Sequence, residues 1–398
     1  MINFLFSAKM NHQEKLYKCF ISLPASVKLF IIRYSCQIFK TQINRLKTPV
    51  KLIFYVTNKC NLKCGHCFYS KYLNKDADKE LTLGEIKLII SSLRHKLLSL
   101  ILTGGEPFLR HDLVDICEIV SKLNKTQMVT IDTNGFFPEL TEETIKKILQ
   151  KVSFSVNIQF SIDGLEETHD KIRGLKDSFR RAVDTINRCK RLKESFTNLN
   201  FLSILTTVSN KNYNEIEQLA YFIKFNLGVF HKFRLIRDSQ NSLNSIDNDI
   251  LSNLRPEDSS YCLPDTFQLN RLNDFLAYFF ETRVDSLLSK FQIFYMKYCL
   301  DIIKKHKKVL DCLAGKFDGV IFPSGDVALC EMTTPFGNLR DVAFDFFKLW
   351  NSKTANQRKA KIKDCFCIHP CNILTSMSLD KNTIISLSRN KFKIIQRR

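Results

Sequence analysis

The sequence predicts an α/β fold: a partial (βα)6 barrel of the TIM type, followed by a small cysteine-rich α+β domain. Three observations lead to this prediction. The composition, with 44% hydrophobic and 25% charged residues, is typical of a globular protein. Strand and helix patterns alternate between residues 51 and 236, which gives six βα repeats. Beyond residue 308, short strand patterns accompany a second group of cysteines.

The predicted strands are short apolar runs rich in β-branched and aromatic residues, at 51–57, 98–103, 127–133, 156–162, 201–208 and 231–236. Helices are predicted between them, at 82–93, 113–123, 141–149, 178–193 and 213–225. Thr141 is expected to cap the third helix, with Glu142 and Glu143 in its first turn. Alternation of this kind indicates a parallel sheet with right-handed crossovers. Functional side chains are then expected at the carboxyl ends of the strands.

Changes in composition divide the chain into five predicted segments. They are a basic amphipathic helical segment at 1–48, the barrel at 49–238, a linker with helices at 239–308, the cysteine-rich domain at 309–372 and a basic tail at 373–398. A helical stretch is expected at 267–308, in the linker segment. Short strands are expected at 319–322 and 327–330, in the cysteine-rich domain.

The net charge of +20 is concentrated at the two ends of the chain. Residues 1–50 hold eight basic residues and one acidic residue, and residues 373–398 hold six and one. Apolar and basic residues interleave over 25–46, which favours a helix at a membrane surface; packing of this helix on the main domain is the alternative. No nucleic-acid motif is present, so no specific nucleic acid is expected.

We expect a cytoplasmic protein, with peripheral membrane contact as an open alternative. The chain contains no uncharged apolar run of the length that a transmembrane helix needs. Its first ten residues lack the layout of a signal peptide, so the fourteen cysteines are interpreted as thiols of a reducing compartment.

The first cysteine group follows the first strand directly. Cys60, Cys64 and Cys67 have the spacing Cys-x3-Cys-x2-Cys. A [4Fe–4S] cluster normally takes four cysteines, so three would leave one iron free to bind a substrate or cofactor. A zinc site is the alternative, and it would require a fourth ligand nearby.

Two further motifs lie at later strand ends: Gly104-Gly105-Glu106-Pro107 after the second strand and Ser161-Ile162-Asp163-Gly164 after the fourth. Together with the cysteine spacing, they resemble the radical S-adenosylmethionine (radical SAM) superfamily over about residues 52–236. The resemblance implies that Cys60, Cys64 and Cys67 hold a [4Fe–4S] cluster whose fourth iron binds SAM. It implies SAM contacts from His66, Gly104, Gly105, Glu106, Asn134, Ser161, Asp163 and Arg173. The alternatives are turn formation for Asn134 and Asp163 and a surface charge for Arg173.

The resemblance also implies a reaction. The reduced cluster would cleave SAM to methionine and a 5′-deoxyadenosyl radical, which abstracts hydrogen from a substrate. The electron would come from a donor such as flavodoxin or ferredoxin. No catalytic residue on the substrate side is identified by the sequence.

The second cysteine group resembles the SPASM and twitch domains that hold auxiliary clusters. Cys312 is followed by twelve residues, Gly325, four residues and Cys330, and then by Cys365-x-Cys367-x3-Cys371. The resemblance implies one auxiliary [4Fe–4S] cluster. The expected ligands are Cys312, Cys330 and Cys371, with either Cys365 or Cys367 as the fourth; a structural zinc or buried thiols are the alternatives.

Three functions are compared at this point. The first is radical modification of a peptide or protein by a maturase. The second is modification of a sugar, nucleotide-sugar or lipid-linked intermediate, which the basic start of the chain favours. The third is a non-catalytic iron–sulfur protein, which would require damaged SAM motifs.

Overall fold

The computed structural model describes residues 42–237, 249–281 except 253, and 287–388. Most of the predicted amphipathic segment at 25–46, residues 239–248, 253 and 282–286 of the predicted linker and residues 389–398 of the predicted tail lie outside the described residues. Among the described helices, none is long and apolar enough to cross a membrane.

At the centre of the molecule, the described residues form a sheet of nine strands. In chain order they are β1 Lys51–Thr57, β2 Ser99–Gly104, β3 Met128–Thr133, β4 Ser155–Ser161, β5 Leu199–Val208, β6 Phe230–Leu235, β7 Asp318–Ile321, β8 Asp326–Ala328 and β9 Gly337–Asn338. Their order in the sheet is β6-β5-β4-β3-β2-β1-β7-β8-β9. Strands β1 to β6 are all parallel, each paired with its neighbour in the chain. Because β6 ends the sheet, these six strands form an open arc, which confirms the predicted partial barrel.

Helices cover the outer face of this arc and explain why its strands are so apolar. The first six are α1 Leu83–Ser92, α2 Leu113–Leu123, α3 Pro138–Lys151, α4 Glu166–Arg173, α5 Ser178–Ser195 and α6 Ile216–Phe222. Strand β1 is buried at every position, as expected for a parallel strand covered on both faces. Helix α1 begins with a capping box, in which Thr82 and Glu85 each accept a hydrogen bond from the other's backbone.

Several helices differ from the sequence prediction. Helix α3 begins at Pro138, three residues before Thr141, because proline fits the first turn of a helix and Thr141 is buried within it. Helix α4 was not predicted, since its sequence is almost entirely polar. The helical stretch expected at 267–308 is two helices, α7 Thr266–Glu281 and α8 Leu287–Lys305.

The cysteine-rich segment is joined to the barrel rather than separate from it. Strand β7 pairs in parallel with β1, and β8 and β9 continue the sheet in antiparallel fashion. The close packing is visible at Gly319, where an added Cβ would lie 3.0 Å from the Trp350 ring. The remaining helices are α9 Phe346–Trp350, α10 Lys353–Lys361, α11 Pro370–Met377 and α12 Lys381–Ser388, of which α12 and most of α11 fall in the predicted tail.

Candidate functional site

A cavity of about 430 Å3 lies at the carboxyl ends of the barrel strands, within the size range of small-ligand pockets. Every strand of the arc contributes to its wall, for example through Tyr55, Thr103, Asp132, Ser161, Leu205 and Arg234. The C-terminal segment closes the β1 side, through Glu331, His369 and Cys371. The cavity therefore lies between the two regions that the sequence distinguished.

Cys60, Cys64 and Cys67 all line this cavity from the loop after β1. The end of α4 supports the loop, since Gly65 N donates to Ile172 O at 2.9 Å. Burial raises the pKa of Cys60 and of Cys67 to about 12 and also raises that of Cys64. A bound metal removes such protons, because thiolates are the ligating form. The three thiols thus have the position and chemistry needed to hold three irons.

Tyr261 packs against the cysteine loop at Gly65. The sequence did not predict this contact. A Cβ added to Gly65 would lie 2.3 Å from Tyr261 Cε2, so the glycine allows the ring to approach closely. Lys211 Nζ lies 5.7 Å from the centre of the same ring. Nothing in the sequence near Tyr261 indicates this contact, because it depends on tertiary packing between distant parts of the chain.

The glycine-rich turn after β2 runs directly beneath the cysteine loop. Gly105 N donates to Thr57 O and Glu106 N donates to Lys59 O, both at 2.8 Å. A Cβ on Gly105 would lie 2.1 Å from Lys59 O, and Gly104 has φ +125°, a conformation that glycine adopts readily. These two glycines therefore let one backbone segment pack against the other at the edge of the cavity.

Glu106 holds the end of β3 beside this turn. Its carboxylate accepts hydrogen bonds from Thr133 Oγ1 at 2.8 Å and from the backbone N of Asn134 at 2.7 Å. Burial raises the pKa of Glu106 to about 7. A ligand ammonium beside it would favour the ionised carboxylate. Glu106 thus lines the cavity and also positions Asn134, whose Nδ2 donates to Asn61 Oδ1 at 2.9 Å.

Asp163 differs from the expectation that it lies beside SAM. Its side chain is fully buried and does not line the cavity, whereas His66, Ser161 and Arg173 do. Asp163 Oδ2 lies 2.6 Å from Arg173 Nη2 and 3.4 Å from His66 Nε2. Because β4 ends at Ser161, the chain has already turned away from the cavity at Asp163. Its carboxylate therefore orients two cavity residues from behind.

Charge and burial set the protonation states of this group. Burial alone would raise the pKa of Asp163, but the charge of the Arg173 guanidinium opposes that effect and the pKa is lowered. Burial lowers the pKa of His66 to about 4, so its imidazole is neutral. Arg173 Nη1 also lies 3.7 Å from Cys64 Sγ. The positive charge is thus held next to the cysteine loop.

The second cysteine group brings together Cys312, Cys330, Cys365 and Cys367. After burial, which is the largest influence, the other thiols of the group are the next cause of the raised pKa values of Cys312, Cys330 and Cys365. None of the four forms a disulfide bond among the described residues. A [4Fe–4S] cluster normally takes four cysteines, and four thiols that interact electrostatically in this way match that donor set.

Cys371 is placed elsewhere, contrary to the expected ligand set. It lies in the first turn of α11 and lines the main cavity, and the charged groups near it are Glu331, Lys51, Arg237 and Asp318. The reason is that α11 begins at Pro370, which turns the chain away from the loop that carries Cys365 and Cys367. The structure thus groups Cys365 together with Cys367 and leaves Cys371 out.

A network of hydrogen bonds beside Cys371 was also missed from the sequence. Glu331 accepts from Tyr55 Oη and, at 2.8 Å, from Arg237 Nη2, and it lies 2.5 Å from His369 Nε2. The Arg237 guanidinium stacks 3.5 Å above the centre of the Phe68 ring. This part of the wall is therefore a connected set of polar groups around Glu331.

Polar side chains also cross the interior of the barrel. Gln159 Nε2 donates to Asp132 Oδ1 and Lys232 Nζ donates to Gln159 Oε1, both at 2.9 Å. Arg234 Nε donates to Thr207 Oγ1 at 2.8 Å. Sequence reasoning did not select these residues, although alternation along β6 places Lys232 and Arg234 on one face of the strand.

Comparison with known proteins shows which family this part of the chain resembles. Residues 54–223 match the radical SAM superfamily. The chain is 34% identical over 150 residues to Fe-coproporphyrin III synthase of Methanosarcina barkeri, which covers 37% of this chain and 36% of the synthase. It is 30% identical over 173 residues to the sporulation killing factor maturation protein SkfB of Bacillus subtilis, which covers 43% of this chain and 39% of SkfB. The chain thus matches little more than a third of these relatives' lengths.

Among solved structures, Streptococcus suis SuiB is similar in fold. It superposes with a TM-score of 0.54 at 18% identity, over 82% of this chain and 71% of SuiB. The extent of this similarity includes the region that follows the barrel. Residues 54–223 therefore form a domain of the radical SAM superfamily, whose enzymes use a [4Fe–4S] cluster and SAM, and a cysteine-rich region follows the barrel.

Proposed function

We propose that this protein binds SAM and a [4Fe–4S] cluster in the cavity described above and modifies a peptide by radical chemistry. The observation that carries the proposal is the meeting of two sets of residues in one cavity. The three cysteines and the glycine-rich turn occupy one wall. A second wall, built from β3, β4, β6 and the C-terminal segment, presents polar side chains to the space that a substrate would fill.

Each SAM-facing residue has a role consistent with its surroundings. When bound, the cluster and SAM supply a reductive cleavage that generates a hydrogen-abstracting radical. Arg173, fixed by Asp163, offers its guanidinium to the carboxylate of SAM, while Gly104, Gly105 and Glu106 offer acceptors to its ammonium. The neutral ring of His66 would flank the adenine of SAM, and Asn134 would lie near its ribose. The protein thus orients SAM and excludes water from the cavity.

The grouped thiols Cys312, Cys330, Cys365 and Cys367 are proposed as the ligands of the auxiliary cluster. Four protein ligands occupy every iron of a [4Fe–4S] cube, which leaves no iron open to a substrate atom. Electron transfer is therefore the role that this arrangement favours. A flavodoxin or ferredoxin is proposed as the external electron donor.

The peptide substrate is supported by the character of the similar proteins. SkfB is named as a maturation protein, and SuiB has been crystallised bound to its precursor peptide SuiA. A small anionic molecule, such as a nucleotide-sugar, is the second candidate. Lys232 and Arg234 favour it, because they add two cations to the cavity wall.

The proposal is tested with protein purified and reconstituted without oxygen. We expect about eight irons per chain, and about four in a Cys60/Cys64/Cys67→Ala triple variant, because each cubane holds four. With dithionite and SAM, 5′-deoxyadenosine should form only with the parent protein and a Cys262→Ala control. Peptides encoded by short reading frames next to the gene should then change mass in a SAM-dependent way. Full iron loading without 5′-deoxyadenosine, with and without these peptides, would contradict the proposal.

A further inference from the structure

We infer that Arg234, assisted by Lys232, binds a carboxylate group of the substrate. This inference rests on the proposed function for the identity of the cavity as a substrate site. It begins with the geometry of Arg234 itself. Arg234 pairs with Thr207 across β5 and β6, and its Nε donates to Thr207 Oγ1 at 2.8 Å. That bond fixes the guanidinium and leaves both terminal nitrogens without a hydrogen-bond partner among the described residues.

The other cations of the cavity wall are neutralised by carboxylates. The pairs are Arg173–Asp163 at 2.6 Å, Arg237–Glu331 at 2.8 Å and Lys51–Asp318 at 3.6 Å. In the described part of the chain, neither Arg234 nor Lys232 forms an ion pair of this kind. Charges in a low-dielectric site are normally paired, so two unpaired cations indicate a place for an anion.

Among the residues that the structure describes, Asp132 is the carboxylate that acts on both cations, and its single charge cannot balance the two. Asp132 interacts electrostatically with Arg234 and Lys232, but burial raises its pKa to about 6, and its carboxylate accepts hydrogen bonds from Gln159 Nε2 and from the Thr103 side chain. The charge of this part of the cavity is therefore positive even when Asp132 is ionised. A ligand carboxylate would complete the balance and satisfy the free nitrogens of Arg234.

The position of Arg234 indicates how a carboxylate bound to it would orient the substrate. Its charge acts on His66 and Cys67 of the cysteine loop and also on Asp132 and His369. Arg234 thus lies between the region assigned to SAM and the wall formed by the C-terminal segment. A substrate held there by its carboxylate would present a neighbouring carbon to the cysteine-loop side, and such positioning is a large part of catalysis.

A carboxylate is the group that matches a guanidinium with two free nitrogens, because the planar fork binds two oxygens at once. SAM also carries a carboxylate, and phosphate has similar oxygens. Arg173, 3.7 Å from Cys64 Sγ, is the better partner for SAM, since under the proposed function SAM would bind at the open iron beside the cysteines. The test must therefore separate three sources of oxyanion.

We would label the reconstituted holoenzyme with phenylglyoxal and measure the modification of Arg234 by peptide mass. The probes are glutarate and its neutral isostere glutaramide, each with and without SAM, together with inorganic phosphate. We expect glutarate to protect Arg234 at least tenfold better than glutaramide, with and without SAM. Arg191, which is exposed on α5, serves as the internal control and should be protected by neither.

Other results would overturn the inference. Equal protection by glutarate and glutaramide, or none by either, would mean that no carboxylate binds there. Full protection by SAM alone would assign Arg234 to the SAM carboxylate, and preferential protection by phosphate would assign it to a phosphorylated ligand. Because labelling does not depend on SAM cleavage, a failure here is distinguishable from a failure to form 5′-deoxyadenosine.

Two variants complete the test by calorimetry with glutarate. R234Q should abolish the preference for glutarate over glutaramide, and R191Q should leave it unchanged. R234K keeps the charge without the fork and should retain only part of the affinity. Circular dichroism of each variant checks that the fold is intact, and an R234Q variant that is folded and still prefers glutarate would refute the inference.

Discussion

Arg173 Nη2 lies 2.6 Å from Asp163 Oδ2, and this buried ion pair lies directly beneath the cysteine loop. The same carboxylate lies 3.4 Å from His66 Nε2, so one residue fixes two others that face the cavity. Asp163 does not reach the cavity itself. Its importance is therefore indirect, which makes it a suitable residue to test.

Replacing Asp163 with Asn should weaken both folding and SAM binding. Breaking a buried pair leaves an uncompensated charge and typically costs about 3–5 kcal/mol. We expect a loss of this size in urea unfolding and about a tenfold or greater loss of SAM affinity in equilibrium dialysis, because Arg173 is no longer oriented. Glu166→Gln, which alters an exposed contact 4.0 Å from Arg180, is the control and should change neither. Unchanged SAM affinity in D163N would show that Arg173 needs no anchor.

The approach of the glycine-rich turn to the cysteine loop can be tested at Gly105. In Gly105→Ala, the added Cβ would lie 2.1 Å from a backbone oxygen, which cannot move as a side chain can. We expect a loss of about 3 kcal/mol in stability and a displaced loop that retains fewer irons. Gly84→Ala is the matched control, because nothing lies within 4 Å of its Cβ, and alanine favours a helix by about 1 kcal/mol. Equal stability of the two variants would contradict the observed packing.

The ligand set of the auxiliary cluster can be tested by counting iron. Single alanine variants of Cys365 and Cys367 should each lose about four irons, because each removes one of four ligands. Cys371→Ala should keep them, since Cys371 faces the main cavity. Electron paramagnetic resonance of the reduced proteins would show which cluster is missing. Loss of the auxiliary signal in C371A, with retention in C365A or C367A, would restore the ligand set expected from the sequence.

The amine of Lys232 should titrate within a pH range that can be measured on the folded protein. Burial lowers its pKa to about 8 from 10.5, while Asp132 acts in the opposite direction. The charged amine therefore opposes folding below pH about 8, and this penalty disappears as the pH rises towards 10.5. In Asp132→Asn the pKa of Lys232 should fall further, because its attracting charge is lost.

Competitive labelling with acetic anhydride across neutral and alkaline pH measures this titration directly. The midpoint for Lys232 should move to lower pH in D132N and stay in place in a Glu166→Gln control. A midpoint that rises in D132N would mean that Asp132 does not hold the ammonium.

The sequence by itself determined the barrel and the cysteine loop, because both depend on local patterns. Alternating strands and helices specify parallel crossovers, and strands β1 to β6 lie close to their predicted bounds. The motifs at Cys60 to Cys67 and Gly104 to Glu106 follow strand ends directly, so chain connectivity alone places them at one edge. The start of α3 was misplaced because a capping threonine and an initial proline give competing signals.

The tertiary structure decided which side chains meet across elements that are distant in the chain. Cys367 and Cys371 are close in sequence, yet helix α11 begins between them. Cys367 therefore lies with the other cysteines of the second group, whereas Cys371 lines the main cavity. The contact of Glu331 with Arg237 spans 94 residues and depends on β7 pairing with β1. Arg234 has no motif around it; its unpaired charge is apparent only once the neighbouring cations are seen with their carboxylates. Such contacts arise from packing, which local sequence patterns do not encode.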